Sequence, residues 1–189
     1  DGSIERGFSS GIGEFDRSLG GQIVEWSVVL LGGDPGNGKS TILSQVSCNV
    51  SENSPVLYIS GEESEYQIKK RIVSRMNVEP NDNFNVLYTN DIDNIEEEAL
   101  AVQPKLLVID SINTIGSKDI KGDIGDVAQM KHCVNRIVSL AKSHGITVFA
   151  ISQVTKGNEL AGPRKVEHMV DTVMYLEGDK FNDLRTLSL

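Results

Sequence analysis

Short, nearly unbroken apolar runs recur along the chain. They are Ser27-Val28-Val29-Leu30-Leu31, Val56-Leu57-Tyr58-Ile59-Ser60, Phe84-Asn85-Val86-Leu87-Tyr88, Lys105-Leu106-Leu107-Val108-Ile109-Asp110 and Ile146-Thr147-Val148-Phe149-Ala150-Ile151-Ser152. Runs of this length, rich in β-branched residues and bounded by polar turns, read as buried strands. Between them apolar residues return every three or four positions, the period of a helix with one buried face. Ile42, Leu43, Val46 and Val50 form one such face, and Ile68, Ile72 and Val73 a second in a helix ending near Met76. Ile95, Ala99 and Val102 form a third, in a helix capped by Asp91 or Asp93. The longest helix runs from Asp126 to Ser143 over Val127, Met130, Val134, Ile137, Val138 and Ala141, and Gly145 closes it as a C-cap.

The two ends are read in the same way. Residues 1–7 read as a lead-in, and Ser9 or Ser10 caps a short helix through Leu19 that carries Ile12, Phe15 and Leu19. Ile23 to Leu31 is mostly apolar, with Trp26 packed near the start of the first central strand. Val173-Met174-Tyr175-Leu176 and Leu184-Arg185-Thr186-Leu187 read as a closing hairpin around Gly178-Asp179. Strands alternating with helices predict an α/β fold: a mainly parallel central sheet flanked by helices, with a C-terminal antiparallel hairpin. At 189 residues the whole chain, 1–189, is expected to be a single domain.

The stretch Gly33-Asp34-Pro35-Gly36-Asn37-Gly38-Lys39-Ser40-Thr41 gives this scaffold a chemistry. It reads G-x-x-x-x-G-K-S between a predicted strand and a predicted helix, the context that a phosphate-binding P-loop requires. Gly33, Gly36 and Gly38 let the backbone approach a phosphate and turn its N–H groups into an anion nest. The helix that follows adds the positive end of its dipole. Lys39 reaches the β- and γ-phosphates, and the Ser40 hydroxyl binds Mg²⁺.

Ligands of a parallel sheet gather at the carboxyl ends of its strands. Asp110 ends an apolar strand in the Walker B pattern and is expected to hold Mg²⁺ with Ser40; a turn or cap role is the alternative. Glu62 and Glu63 follow the second strand, and Glu62, nearer its end, is expected to orient the attacking water, against a solvated acidic turn. Gln153 ends the strand 146–152 and is expected to sense the γ-phosphate, against a capped strand end. The loops 113–125 and 155–165 leave the same edge carrying Lys118, Lys121, Lys156, Arg164 and Lys165, which read equally as phosphate contacts or as solvated loop charge.

Composition narrows the alternatives. The chain is 39% hydrophobic and 24% charged, with a net charge of −9, which argues against the broad basic footprint of a free-standing nucleic-acid binder. Binding through a few loops, repeated in an oligomer, stays open. No apolar run approaches the roughly 20 residues of a membrane span, and no signal-peptide pattern opens the chain. Cys48 and Cys133 sit in helical patterns without metal spacing, so two buried thiols in a reducing, cytoplasmic compartment are expected. His132, His144 and His168 are expected at the surface or at helix ends. The first residue is not Met, and the chain reads as a fragment.

Taken together these residues resemble the RecA-like ATPase core of the bacterial RadA/Sms recombination and repair family. The resemblance rests on Gly11 to Gly21, the P-loop, Tyr58-Ile59-Ser60-Gly61-Glu62-Glu63-Ser64, Val108-Ile109-Asp110-Ser111-Ile112, Val154-Thr155-Lys156, Ala161-Gly162-Pro163-Arg164 and Glu167 to Val173. It implies a RecA-like P-loop NTPase that uses ATP and Mg²⁺, binds single-stranded DNA and forms a homo-hexameric ring. It further implies that the full protein assists the RecA recombinase by DNA-stimulated branch migration. Lys39, Ser40 and Asp110 then serve ATP and Mg²⁺, Glu62 activates water, and the loops after Asp110 and Gln153 face DNA. The family's zinc finger and Lon-protease-like domain are not in these residues, and its Lys-Asn-Arg-Phe-Gly motif is expected just after Leu187. Glu25-Trp26 stands where a Pro-Gly-like turn is usual, implying a different entry to the first strand. A KaiC-like nucleotide-gated signalling or scaffold ATPase, with the same fold and a Glu-Glu pair, is the competing reading.

Overall fold

The computed structural model describes residues 6–33, 38–153, 163–177 and 180–186. Two short strands, β1 (Gly7–Phe8) and β2 (Ile23–Val24), pair antiparallel and enclose α1 (Gly13–Ser18). Then β3 (Val28–Gly33), α2 (Lys39–Ser51), β4 (Val56–Ser60), α3 (Glu65–Met76), β5 (Phe84–Tyr88), α4 (Ile92–Val102) and β6 (Leu106–Asp110) alternate as the pattern predicts. A 3₁₀ turn at Ile112–Thr114, α5 (Val127–His144), β7 (Thr147–Ile151), α6 (Pro163–Val166), a second 3₁₀ turn at Glu167–Met169, β8 (Thr172–Glu177) and β9 (Lys180–Thr186) complete the order.

The main sheet runs β5-β4-β6-β7-β3-β8-β9. Every neighbouring pair is parallel except β8–β9, the expected hairpin; its Gly178-Asp179 turn lies outside the described residues. Strand residues alternate between two cores, as the period of two requires. Val28, Leu30, Leu57, Ile59, Leu107 and Ile109 face α4 and α5. Val29, Leu31, Tyr58, Val108 and Ile151 face α1, α2 and α3. The same alternation carries Ser60, Asp110 and Gln153 to the α2 side at the carboxyl edge, with Ser60 opposite Asp110 and Asp110 opposite Ile151 in register.

Several local expectations are corrected. The apolar stretch from Ile23 is two strands, because Trp26 turns the chain with φ +64°. That left-handed conformation costs a non-glycine residue about 1–2 kcal/mol. Two bonds hold it and a third braces one of them: Trp26 N–H donates to Thr147 Oγ1 at 2.8 Å, Lys142 Nζ donates to the Trp26 carbonyl at 2.9 Å, and Asp171 Oδ2 fixes that Nζ at 2.6 Å. The Trp26 ring lies half exposed against Gly145 rather than packed inside.

Neither serine caps α1 through its side chain. Ser9 Oγ and Ser10 N–H instead donate to the Asp16 carboxylate at 2.5 and 2.8 Å, closing the loop onto the helix. Val73 is exposed, so α3 buries only Ile68 and Ile72. Of the two candidate caps for α4, Asp91 is the one used, accepting from the Asp93 N–H at 2.9 Å.

Candidate functional site

The site is built where α2 begins. Gly38 has φ +80° at the helix N-cap, a conformation that glycine adopts at no cost. Lys39 is buried and its Nζ donates to the Gly33 carbonyl at 2.8 Å. Gly38, Lys39, Ser40 and Thr41 border a cleft of about 320 Å³ whose other walls include Gln153 from the end of β7 and Arg71 and Arg75 from α3. The expected nucleotide residues Asp34, Pro35, Gly36 and Asn37 lie outside the described residues.

Ser40 and Asp110 meet directly: Ser40 Oγ donates to Asp110 Oδ2 at 2.7 Å. The same oxygen accepts from the hydroxyl of Tyr58, also at 2.7 Å. Tyr58 is wholly buried in β4. Burial, and then the Asp110 carboxylate, push its phenol far above the ordinary value, so it remains a protonated donor.

Of the two glutamates, Glu63 is engaged and Glu62 is not. Both backbone N–H groups point at Ser60 Oγ, at 3.4 and 2.9 Å. The Glu63 carboxylate pairs with Arg71, whose NH2 also donates to Ser44 Oγ at 3.2 Å. Burial works against the Arg71 charge, but the Glu63 and Asp110 carboxylates help to restore it, and its pKa is raised. Glu62 is exposed and has no ion-pair partner among the described residues. Gly61, just before the pair, is pressed against the turn after β6: a Cβ there would meet Thr114 Oγ1 at 2.1 Å.

Gln153 is half-buried and tied to the same turn. Its N–H donates to Asn113 Oδ1 at 2.8 Å, and Asn113 Nδ2 donates back to its carbonyl at 3.3 Å. The loop after β6 is more ordered than its polar composition suggests. Gln129 of α5 is buried beneath it; its Nε2 donates to the carbonyls of Ser117, Ile120 and Gly122, and its Oε1 accepts from Ser117 N–H.

Within that loop Lys118 pairs with Asp91 at 3.0 Å, while Lys121 is exposed. Burial pushes the Asp91 carboxyl up, but Lys118 and the Asp93 N–H outweigh it and hold it below its ordinary value. Lys165 is exposed in α6; Lys156 and the side chain of Arg164 lie outside the described residues. Sequence reasoning missed Tyr58, Arg71, Arg75 and Asn113. A hydroxyl inside an otherwise apolar strand was the one available signal, since a buried phenol needs a partner.

The donor set fits Mg²⁺ bound with a nucleotide. Among the described residues no three His, Cys, Asp or Glu side chains converge as a metal cage. Magnesium at phosphates does not need one, because it takes one or two protein oxygens and completes its shell with water and phosphate. Both cysteines are free thiols and buried. His144 and His168 are exposed as expected, but His132 is half-buried and its Nε2 has no hydrogen-bond partner among the described residues. No helix among the described residues is long and apolar enough to cross a membrane.

Known proteins share this arrangement. A family model described as "AAA domain" matches residues 12–159. The chain is 46% identical over 180 residues to the DNA repair protein RadA of Pseudomonas aeruginosa, covering 95% of this chain and 39% of that protein. It is 45% identical over 177 residues to the protein of the same name from Bacillus subtilis, covering 93% and 38%. For that of Streptococcus pneumoniae the match is 45% over 174 residues, covering 92% and 41%. The chain thus spans about two fifths of the length of these relatives. Among solved structures, a KaiC-like protein from the hyperthermophilic archaeon Pyrococcus horikoshii superposes with a TM-score of 0.69 over 91% of this chain and 81% of that one. At 20% identity that likeness shows the RecA/KaiC-like fold alone. The chain belongs to the AAA domain family, and within it to the RadA/Sms family, as that family's ATPase core.

Proposed function

We propose that this core drives a single-stranded-DNA motor that assists RecA-mediated recombination and repair by branch migration, working as a homo-hexameric ring in the cytoplasm. The observation that carries the reading is the meeting of Ser40 and Asp110 at 2.7 Å beside Lys39 and Gln153. That is the set a P-loop ATPase needs at the γ-phosphate end. The relatives' name, DNA repair protein, supports the DNA part.

In this reading the stretch 33–41 cradles the phosphates of ATP, and Lys39 turns from the Gly33 carbonyl to the β- and γ-phosphates. Ser40 and Asp110 would hold Mg²⁺, which would neutralise charge on the phosphate oxygens. Glu62, the carboxylate left free, accepts the proton of the water that attacks the γ-phosphorus as the bond to the bridging oxygen breaks. Gln153 reports loss of the γ-phosphate to the loop after β6 through Asn113. Lys121 and Lys165, with Lys118, Lys156 and Arg164, contact DNA phosphates.

An ATPase assay on the full-length protein, with and without single-stranded DNA, tests this. Turnover should rise with DNA and vanish in Lys39→Ala. DNA that neither binds nor stimulates overturns the motor, and normal turnover in Lys39→Ala overturns the site.

A further inference from the structure

We propose that Tyr58 is a positioning residue for the metal: its buried hydroxyl fixes the Asp110 carboxylate in the orientation that receives Mg²⁺. The inference deepens the ATPase reading and rests on it.

Two hydroxyls donate to one oxygen, Asp110 Oδ2, each at 2.7 Å. They are not equivalent. Ser40 stands at the head of α2 on the cleft, partly exposed, and its oxygen is the one offered to the metal. Once it turns to that task its proton points elsewhere, and Asp110 loses one of its two side-chain donors. Tyr58 keeps its hydroxyl on Asp110, with the Ser44 side chain as a second neighbour. It is fully buried, it stands two residues before Ser60 on the same face of β4, and β4 lies beside β6 in register. Asp110 is the partner of its hydroxyl.

A buried phenol without a partner is costly, so a phenylalanine would serve packing at that point equally well or better. The hydroxyl is therefore explained by its acceptor. Its ring is braced by Phe84, stacked at 6.3 Å between centroids, which leaves the oxygen little freedom. A neutral donor also orients the carboxylate without cancelling its charge. Arg71, a cation on this side, directs its hydrogen bonds to Glu63 and Ser44.

The test is Tyr58→Phe in the full-length protein, which removes one oxygen and keeps the ring. The readout is affinity for a fluorescent ADP with Mg²⁺ and in EDTA, which requires no turnover. Wild type should bind more tightly with Mg²⁺. Tyr58→Phe should lose about tenfold of that enhancement, the scale of one hydrogen bond to a charged group, while binding in EDTA changes less than about twofold. In an Asp110→Asn background the same substitution should add nothing further, because its effect passes through the carboxylate.

An unchanged or larger Mg²⁺ enhancement in Tyr58→Phe overturns the proposal. So does an equal loss with and without Mg²⁺, which marks a packing role, or a full effect in the Asp110→Asn background. A wild type that gains nothing from Mg²⁺ overturns the ATPase reading itself and is told apart from these by the wild-type measurement alone.

Discussion

The two faces of the sheet handle charge in opposite ways. On the α2 side the Asp110 carboxylate accepts from two neutral hydroxyls, Ser40 and Tyr58, and has no ion pair among the described residues. On the α4–α5 side charges are spent against one another. Arg136 of α5 pairs with Asp93 and Glu96 of α4 and with Asp119 of the loop after β6, and Lys118 pairs with Asp91. The Glu96 hydrogen bond outweighs the opposing effect of burial and, with Asp93, raises the Arg136 pKa well above normal. In the proposed reading one face receives phosphate and metal; the other locks a helix pair and a loop in place. Sequence alone shows the acidic and basic residues of both faces but not which are already neutralised.

The sharpest way to break this contrast is Asp110→Asn. If the α2 face is built for a ligand, removing its charge should lower ATP turnover by on the order of a hundredfold or more, since a bound metal supplies several kcal/mol of charge stabilisation. Folding should not suffer: the amide oxygen still accepts from Ser40 and Tyr58, and an unpaired carboxylate no longer has to be partly desolvated. Thermal unfolding followed beside an ATPase assay measures both. A large loss of stability with modest loss of turnover would place Asp110 among the structural charges.

Arg136→Ala is the mirror experiment. It leaves Asp93, Glu96 and Asp119 close together without their cation. The pairs are partly exposed, so the expected loss is about 1–2 kcal/mol, between that of surface pairs and that of buried ones. Urea unfolding should show it, while turnover stays within about twofold. Lost turnover with unchanged stability would mean that this face carries chemistry too.

The contrast also explains what could be read beforehand. Strands and helices were legible because burial on a two-residue or 3.6-residue period is local, and the P-loop was legible because its motif lies within one short stretch of chain. That motif singled out Lys39 and Ser40, and the rule that ligands gather at strand ends singled out Asp110 and Gln153. Neither singled out Tyr58, because its role depends on register: only when β4 lies beside β6 does Tyr58, two residues before Ser60, sit next to the carboxylate opposite Ser60. Asn113 clamping Gln153 across 40 residues is likewise nonlocal. The engagement of Glu63 by Arg71 spans only eight residues, yet it separates two adjacent glutamates that sequence could rank only by distance from the strand. Trp26 was missed for a different reason: two bonds, one of them braced by Asp171, outweigh a backbone preference that tryptophan would otherwise obey.

The smallest expected effect uses the two thiols, one beneath each face: Cys48 in α2 and Cys133 in α5. Burial pushes both up to about 11; Glu52 adds to this for Cys48, whereas Arg136 pulls Cys133 the other way. A raised folded-state pKa contributes stability that is intact below the ordinary thiol value of 9.0 and is lost as pH rises toward about 11, because the unfolded chain ionises first. Urea midpoints should therefore be flat up to about pH 9 and fall between there and pH 11. Thiol-specific labelling at pH 8 should be slow for both residues in the folded protein and fast in urea. In Arg136→Ala the labelling of Cys133 should quicken, because the helix pair above it opens more often, while that of Cys48 stays at the wild-type rate. Equal acceleration of both would mean that the two faces open as one unit, and the division of labour between them would then be one of chemistry but not of stability.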